Sequence, residues 1–419
     1  MLKLFNKKKF KINLSWLLFD KLFRASINIL LSIFLARNLG PQSFGILNYL
    51  LAFIFLFVAL SSLGMSPVLI NQIIKKKNIN YHIYIMNAYY LRFIFSLVNY
   101  FIFIFLVKTI NEDIIYYNFS LILGMIIMFK SCEVIFSYFE AKSLSKFIVV
   151  SQFIGLLSSG SVILYSINTN LDEIYIYYAL LLDVVIVFLL INFFYLSNFK
   201  NIFVGFNILI LKKIIKKSLP VLISSLSIIL YMRIDQIMIK SLVDEYNLGI
   251  YSVSVRFIEI FHFIPKIIMI SFLPILLLSK KYKIDLLNLN SIIFKFSLIL
   301  MISIFLSSDF LIPFVFSDVY SESVSSTKVL SLSLIFVFIG VANEHWYVSN
   351  NLQRYYAIYV LLGAVVNIFL NYFMILKFGI IGAAYSTVIT YFLIIFIFDN
   401  LNKKTRSLLI IKLNSLFRI

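Results

Sequence analysis

The stretch from residue 174 to residue 197, IYIYYALLLDVVIVFLLINFFYLS, decides the fold class, because it is almost continuously apolar and carries one charged side chain. A helix of about 20 apolar residues is long enough to cross a hydrocarbon core of ~30 Å. The apolar residues do not alternate with polar ones at every second position, as they do in the strands of a membrane β-barrel. The stretch therefore predicts a transmembrane helix.

The rest of the chain has the same character. Of its 419 residues, 62% are hydrophobic and 13% are charged, and the mean hydropathy is +1.00. A soluble domain is about half apolar, and about a quarter of its residues are charged. Cys132 is the one cysteine, which excludes an internal disulfide and a cysteine-rich metal site. We attribute part of the net charge of +19 to compositional bias, and we expect no binding of nucleic acid.

The sequence predicts an all-α polytopic membrane protein with about twelve transmembrane helices. Pro265 and Pro274 lie inside the eighth helix and predict a kink there. The first apolar stretch resembles a signal peptide, but it carries Asp20, Lys21 and Arg24, so we expect a retained first helix. The predicted helices are 14–36, 45–70, 83–107, 114–137, 147–168, 174–197, 218–240, 248–278, 291–315, 327–350, 355–376 and 380–399.

Charges in the loops predict the direction of the helices. With a cytoplasmic N-terminus, few basic residues fall in the outside loops: Arg37, Lys108, Lys240, Lys328 and Lys377. The other basic loop residues fall in the inside segments. Most acidic loop residues fall outside: Glu112, Asp113, Asp172, Glu173, Asp244, Glu245, Asp318 and Glu322. Because cytoplasmic loops carry an excess of Lys and Arg, this distribution predicts that both termini are cytoplasmic.

The longest loop that we predict to be cytoplasmic, 198–217, is basic and divides the chain into two sets of six helices. The short motifs FGIL at 44–47 and LGIY at 248–251 occupy the same point of each half. We therefore predict an N-terminal lobe, residues 1–197 with helices 1–6, and a C-terminal lobe, residues 218–419 with helices 7–12 and a cytoplasmic tail. Halves that enter the membrane from the same side are related by a pseudo-twofold axis along the membrane normal, with a site between them.

Polar and ionisable side chains inside the predicted helices are the candidate site residues. Such groups are costly in a bilayer, so they face a cavity or a partner. Spacings of three or four residues place several of them on shared helix faces. The candidates are Asp20, Arg24, Asn28, Arg92, Asn99, Lys130, Glu133, Arg233, Asp235, Arg256, Glu259, Lys266, Asn367 and Asn371.

These candidates predict a water-filled cavity with a small excess of basic groups, which suits an anionic ligand. Tyr231 and Asp235 share one helix face, and Arg233 is predicted to point away from it. A second interpretation stays open, because Arg256 and Glu259 are also spaced as a pair that neutralises itself and merely lets helices pack. The same applies to Asp20 and Arg24.

Three short segments match known sequence motifs. Residues 36–45, ARNLGPQSFG, resemble the A-R-x-L-G-P-x-x-F-G signature of the polysaccharide-export flippase family. YMRIDQ at 231–236, followed by LGIY at 248–251, resembles its pattern in helices 7 and 8. Residues 371–384, from NY to FGIIGAA, resemble its turn between helices 11 and 12. In order along the chain, they resemble the O-antigen flippases (Wzx type) of the multidrug/oligosaccharidyl-lipid/polysaccharide (MOP) superfamily.

The resemblance implies a V-shaped pair of six-helix lobes that works by alternating access. The implied substrate is an undecaprenyl-diphosphate-linked oligosaccharide of the O-antigen (lipopolysaccharide) or capsule type, moved from the inner to the outer leaflet of the bacterial plasma membrane. Arg24 and Arg233 are the candidates for binding the diphosphate. Asp235 is the candidate for pairing with a basic residue or for coupling to H⁺ or Na⁺. Polysaccharide assembly proteins are further implied partners, and no cofactor, metal or catalytic residue is expected.

Other functions stay open at this point. A cation-coupled multidrug antiporter of the same superfamily would favour an acidic cavity, and a lipid II flippase would carry more than twelve helices. A membrane-bound glycan polymerase would need a long outer loop or an acidic pair in the first one, and the sequence predicts neither. A membrane acyltransferase would need a catalytic histidine, for which His262 and His345 are the candidates.

Overall fold

The computed structural model describes the backbone of residues 7–75, 81–111, 113–197, 205–278 and 281–416, and the side chains of these residues except 7–15, 17–22, 270–271, 273–275 and 277–278. Fifteen α-helices run through this part of the chain, and it contains no β-strand. They are α1 Lys7–Ser62, α2 Met65–Lys75, α3 Tyr81–Ile110, α4 Ile114–Phe129, α5 Glu133–Ala141, α6 Lys146–Asn168, α7 Ile174–Leu196, α8 Ile208–Leu242, α9 Glu245–Glu259, α10 Phe263–Leu278, α11 Tyr282–Phe316, α12 Ser323–Ser331, α13 Ser333–Ser349, α14 Gln353–Phe392 and α15 Arg406–Leu416.

Nine helical segments among the described residues are long and apolar enough to cross a membrane. Two of them, Phe23–Lys75 and Gln353–Leu401, each cover two of the predicted helices. The first is broken at Gly40, with φ 70°, and the second at Gly379, with φ 58°. Glycine adopts such left-handed backbone without a steric penalty, so each long helix can turn there.

The eighth predicted helix is present as α9 and α10, joined by a 3₁₀ turn at Ile260–His262. The predicted kink is therefore found, and it lies one turn before Pro265. A proline has no N–H to bond the carbonyl four residues earlier, here that of Phe261, and its ring crowds that carbonyl. With this pair and the two broken helices, the prediction of about twelve membrane helices in an all-α fold is confirmed.

The signature segment 36–45 lies in very close contact with the start of α9. A Cβ added to Gly45 would lie 1.9 Å from the backbone oxygen of Glu245. A Cβ added to Gly249 would lie 1.8 Å from the backbone oxygen of Pro41. Small residues allow helix backbones to approach this closely inside a membrane. The two glycines of the FGIL and LGIY motifs therefore serve helix packing.

Spatial contacts group the described residues into two units. Unit 1 comprises those of Met1–Leu31 and Leu50–Leu226, and unit 2 those of Ser32–Tyr49 and Ser227–Ile419. The contact between Gly45 and α9 explains why Ser32–Tyr49 groups with unit 2. The predicted lobes follow the helix count instead of these contacts, and they stay a prediction.

The segment that follows the twelfth predicted helix forms α15, which is held against the end of α14 by a buried ion pair. The Lys412 ammonium lies 2.7 Å from Oδ2 of Asp399, and the two side chains are 1% and 0% exposed. Lys412 also donates to the carbonyl of Ile395 at 2.9 Å, and the Tyr347 hydroxyl donates to Asp399. The sequence predicts a cytoplasmic tail here, and neither this helix nor its ion pair was predicted.

Candidate functional site

In unit 1, charged side chains from four helical segments surround a cavity of ≈ 60 Å³. Arg24 of α1, Lys130 and Glu133 line it together with Gln152 of α6 and Asp183 of α7. A cavity of this size and polarity has space for water. The cavity brings together three of the predicted site residues.

The carboxylate of Glu133 is shared by two basic side chains. Its Oε2 lies 2.8 Å from the Arg92 guanidinium, and its Oε1 lies 3.8 Å from the Lys130 ammonium. The 3₁₀ turn Lys130–Cys132 brings Lys130 and Glu133 onto one face, because residues three apart eclipse in a 3₁₀ helix. The Arg92 side chain is 2% exposed, so this ion pair is largely removed from solvent.

Asp183 is a site residue that the sequence analysis missed. Its carboxylate lies beside Gly155 of α6, where an added Cβ would be 2.5 Å from Oδ1. Glycine therefore leaves the room that this carboxylate needs between two helices. The available signal was simple, since Asp183 is the one charged residue in the predicted helix 174–197.

The charged cluster of unit 1 consists of three basic side chains, Arg24, Arg92 and Lys130, and two acidic ones, Glu133 and Asp183. With all five ionised it carries one net positive charge. A net charge at bilayer depth is costly unless a partner or water stabilises it. This cluster is therefore suited to an anionic group.

Unit 2 repeats the sharing of one glutamate by two basic residues. The guanidinium of Arg233 lies 3.0 Å from Oε1 of Glu259, and that of Arg256 lies 3.8 Å from Oε2. Arg256 also donates to Oδ1 of Asn48 at 3.2 Å. Arg233 belongs to α8 and Glu259 to α9, so this ion pair joins the two helices.

Asp235 is almost fully buried and its two carboxylate oxygens both accept hydrogen bonds. The Tyr251 hydroxyl donates at 2.6 Å, and the N–H of Gln236 donates at 2.8 Å. The aspartate lines a second small cavity, of ≈ 40 Å³, together with Tyr231, Tyr251, Tyr391, Glu259 and His262. Three tyrosines around one carboxylate give this cavity an aromatic wall with polar tips.

The predicted amide residues are placed differently. Asn99 donates to the hydroxyl of Ser61 at 2.9 Å, and it does not line the cavity of unit 1. Asn371 donates to Asn367 at 3.1 Å, and Asn367 donates to Thr390 at 3.2 Å. Asn367, Asn371 and Thr390 all belong to α14 and are buried, so their hydrogen bonds tie the two parts of this broken helix together.

Two of the remaining candidates, Asn28 and Lys266, fall outside both clusters. Both are exposed. Lys266 follows the break at Ile260–His262, so it does not continue the helix that carries Arg256. The side chain of Asp20 lies outside the described residues. Among the described residues, no group of three or more His, Cys, Asp and Glu side chains could hold a metal ion.

The chain was compared with protein-family models and with solved structures. The model of the polysaccharide biosynthesis protein family matches residues 10–264, more than half of the chain. The chain is similar to the lipid II flippase MurJ in an inward closed conformation, with a TM-score of 0.75 and 17% identity over 95% of this chain and 90% of that one.

It is also similar to a multidrug resistance MATE family transporter of the MOP superfamily. The inward-facing conformation gives a TM-score of 0.68 at 14% identity, over 94% of this chain and 96% of that one. The outward-facing conformation gives 0.62 at 14% identity, over 96% and 94%. At such identities the likeness concerns the fold. A search of curated protein sequences finds no match.

Proposed function

Because this chain belongs to the polysaccharide biosynthesis protein family, we propose that it is a flippase for lipid-linked oligosaccharides. It moves undecaprenyl-diphosphate-linked repeat units of the O-antigen or capsule type from the inner to the outer leaflet of a bacterial plasma membrane, by alternating access. The multi-pass fold that it shares with MurJ and a MATE transporter supports a transport role in which no bond is broken.

The observation that carries this proposal is the net positive charge of the cluster in unit 1. A diphosphate carries its charge on several oxygens, and a planar guanidinium donates two parallel hydrogen bonds to such a group. Arginine also stays charged when it is partly desolvated. Arg24 is the best-placed donor, because it lines the cavity and Glu133 is already engaged by Arg92 and Lys130. The cavity has room for water and none for a sugar, so substrate binding has to widen it.

In unit 2 we assign Arg233 and Arg256 to the anionic part of the substrate and the tyrosine wall to the sugars. The rings of Tyr231 and Tyr391 pack edge to face with centroids 5.5 Å apart, and both side chains line the cavity. Asp235 is the proposed site of coupling to H⁺ or Na⁺, because it is a buried carboxylate beside that cavity.

Flipping by the purified protein tests the proposal. The chain is reconstituted into vesicles with a fluorescent polyprenyl-diphosphate oligosaccharide, and a membrane-impermeant quencher reports how much probe is in the outer leaflet. We expect the protein to exchange the probe between the two leaflets. In vesicles that contain the protein, all of the probe should therefore become accessible to the quencher. Vesicles that hold folded protein and exchange no more probe than empty vesicles would refute the flippase assignment.

Charge variants locate the site in the same assay. Arg24→Gln removes one charge-assisted bond to a phosphate, worth about 1.5–3 kcal/mol, which corresponds to a roughly 10- to 100-fold lower apparent affinity. Lys212→Gln is the matched control, because Lys212 is an exposed basic residue of α8 outside both clusters. Equal probe affinity in both variants would remove Arg24 from the site.

A cation-coupled multidrug antiporter is the second candidate, and Asp235 is the observation that favours it. A buried carboxylate bonded to Tyr251 suits binding of a cation, and the MATE fold hosts multidrug resistance transporters. The two functions separate in vesicles with an imposed H⁺ or Na⁺ gradient. Efflux of a lipophilic cationic dye that depends on Asp235, without exchange of the lipid-linked probe, would select the antiporter.

A further inference from the structure

The end of α14 and the helix α15 form a hairpin whose two arms are locked together. The chain leaves α14 through a π turn, Leu393–Ile397, and a 3₁₀ turn, Phe398–Leu401, and then reverses into α15. The buried pair of Lys412 and Asp399 joins the two arms.

The reversal itself is also held in place by hydrogen bonds. Thr405 donates from its hydroxyl to the carbonyl of Asp399 at 2.7 Å, and its hydroxyl lies 2.9 Å from that of Tyr359. The backbone N–H of Lys404 donates to Oδ1 of Asn402 at 2.9 Å. The hairpin is therefore a fixed feature of the surface of unit 2.

Between the arms lies a groove of ≈ 300 Å³. Its walls are apolar except at the end near the reversal, where Asn400 lies. Phe392, Ile397 and Leu413 are each about two-fifths exposed, so the groove is open along its length. From Asn400 to Phe392 the helix advances about 12 Å, close to half of a ~30 Å hydrocarbon core. The groove lining consists of Phe392, Phe396, Ile397, Asn400, Leu409, Leu413 and Leu416.

Three exposed basic residues stand at the polar end of this groove. Lys403 and Lys404 lie in the reversal, and Arg406 begins α15. Residues 400–416 contain no Asp or Glu, and the charge of Lys412 is already balanced by Asp399. The hairpin therefore presents a net positive end and an apolar trough that runs away from it.

We propose that this groove binds one anionic phospholipid of the surrounding bilayer. An acyl chain lies between α14 and α15, and the headgroup phosphate contacts Lys403, Lys404 and Arg406. Basic residues beside the cytoplasmic ends of membrane helices attract anionic headgroups, and the loop charges predict that this end is cytoplasmic. A lipid-linked sugar fits less well, because Asn400 is the one polar residue in the lining. The proposal does not depend on the flippase assignment.

Lipid retention by the full-length protein tests the headgroup contacts. Native mass spectrometry counts phosphatidylglycerol and phosphatidylcholine that stay bound to detergent-purified protein, each added over a range of concentrations. We expect one phosphatidylglycerol bound in preference to phosphatidylcholine. In the triple variant Lys403→Gln, Lys404→Gln, Arg406→Gln, the apparent affinity for phosphatidylglycerol falls roughly 100-fold, because three cations near a headgroup contribute about 1 kcal/mol each.

A matched control separates this site from general surface charge. Lys212→Gln, Lys213→Gln, Lys216→Gln removes the same charge from exposed positions of α8 and should leave binding unchanged. An equal loss in the control would overturn the proposal, as would equal retention of the two phospholipids by the native protein.

The groove itself is tested by a variant that keeps every charge. Leu413→Trp fills the trough and should abolish the bound phosphatidylglycerol. Unchanged binding in this variant would overturn the acyl-chain contact. Farnesyl diphosphate serves as the competing probe. If it displaces phosphatidylglycerol when present at a lower concentration than the phospholipid, the groove is a prenyl site and the proposal of a bound phospholipid is overturned.

Discussion

Replacing Lys412 with methionine should destabilise the protein by about 3–5 kcal/mol, because it leaves a buried carboxylate without its cation. The magnitude follows from the burial, since Lys412 is 1% exposed and Asp399 is 0% exposed at a separation of 2.7 Å. After the substitution Asp399 keeps the Tyr347 hydroxyl as a donor, and it loses the charge that balances it. Methionine fills a volume similar to that of lysine, so the loss reports the charge and not a cavity.

The double variant Lys412→Met, Asp399→Asn tests whether the loss comes from the unpaired charge of Asp399. It removes both charges and keeps an oxygen that can accept from Tyr347, so most of the lost stability should return. Lys212→Met is the control, because it removes an exposed charge and should change the stability little. Unfolding is followed by denaturant titration of the detergent-solubilised protein. A single variant as stable as the native protein, or a double variant no better than the single one, would refute the reasoning.

Three further predictions concern packing and transport. Gly249→Ala should lower the unfolding temperature, because the new Cβ meets the Pro41 backbone oxygen at 1.8 Å. Gly205→Ala is the control, because a Cβ there has open space and should leave the unfolding temperature unchanged. Equal melting curves for the two variants would contradict this prediction. Arg92→Met should lower the stability by less than the about 3–5 kcal/mol expected for breaking a fully buried ion pair, because Glu133 is 33% exposed and keeps Lys130 at 3.8 Å. Unchanged thermal stability would count against the ion pair. Asp235→Asn should reduce transport more than Glu344→Gln, because the first lines a cavity and the second is exposed; equal transport rates would leave Asp235 without a role.

The sequence predicts the helices of this protein well, because the solvent imposes the pattern. A bilayer requires about 20 apolar residues per crossing, and that length is readable directly. Where the count of helical segments differs, the cause is local backbone geometry. Gly40 and Gly379 each join two predicted helices into one long broken helix, and the 3₁₀ turn before Pro265 splits another.

The site is predicted in part, because helical spacing gives the face of a helix and not its neighbour. Glu133 and Lys130 are three residues apart in one predicted helix, and the structure brings Arg92 to them from another helix. Asp183 was missed although it is the one charge in its predicted helix, because no second polar residue at helical spacing marked it as part of a stripe.

The pairing of Asp399 with Lys412 was equally invisible to sequence reasoning. Lys412 counted as one of several basic residues of a tail, and a buried tertiary pair has no periodic signature. Asn367 and Asn371 show the converse, since their predicted spacing is correct and their hydrogen bonds serve the packing of α14.

The most direct test of the flippase assignment is the fate of lipid-linked saccharides after deletion of the gene in its native host. The account predicts that complete repeat units accumulate on their lipid carrier, accessible only from the cytoplasmic face, and that surface polysaccharide is lost. Reintroduction of the native chain should restore export. Repeat units that reach the outer leaflet in the deletion strain, or saccharides that do not change at all, would contradict the account.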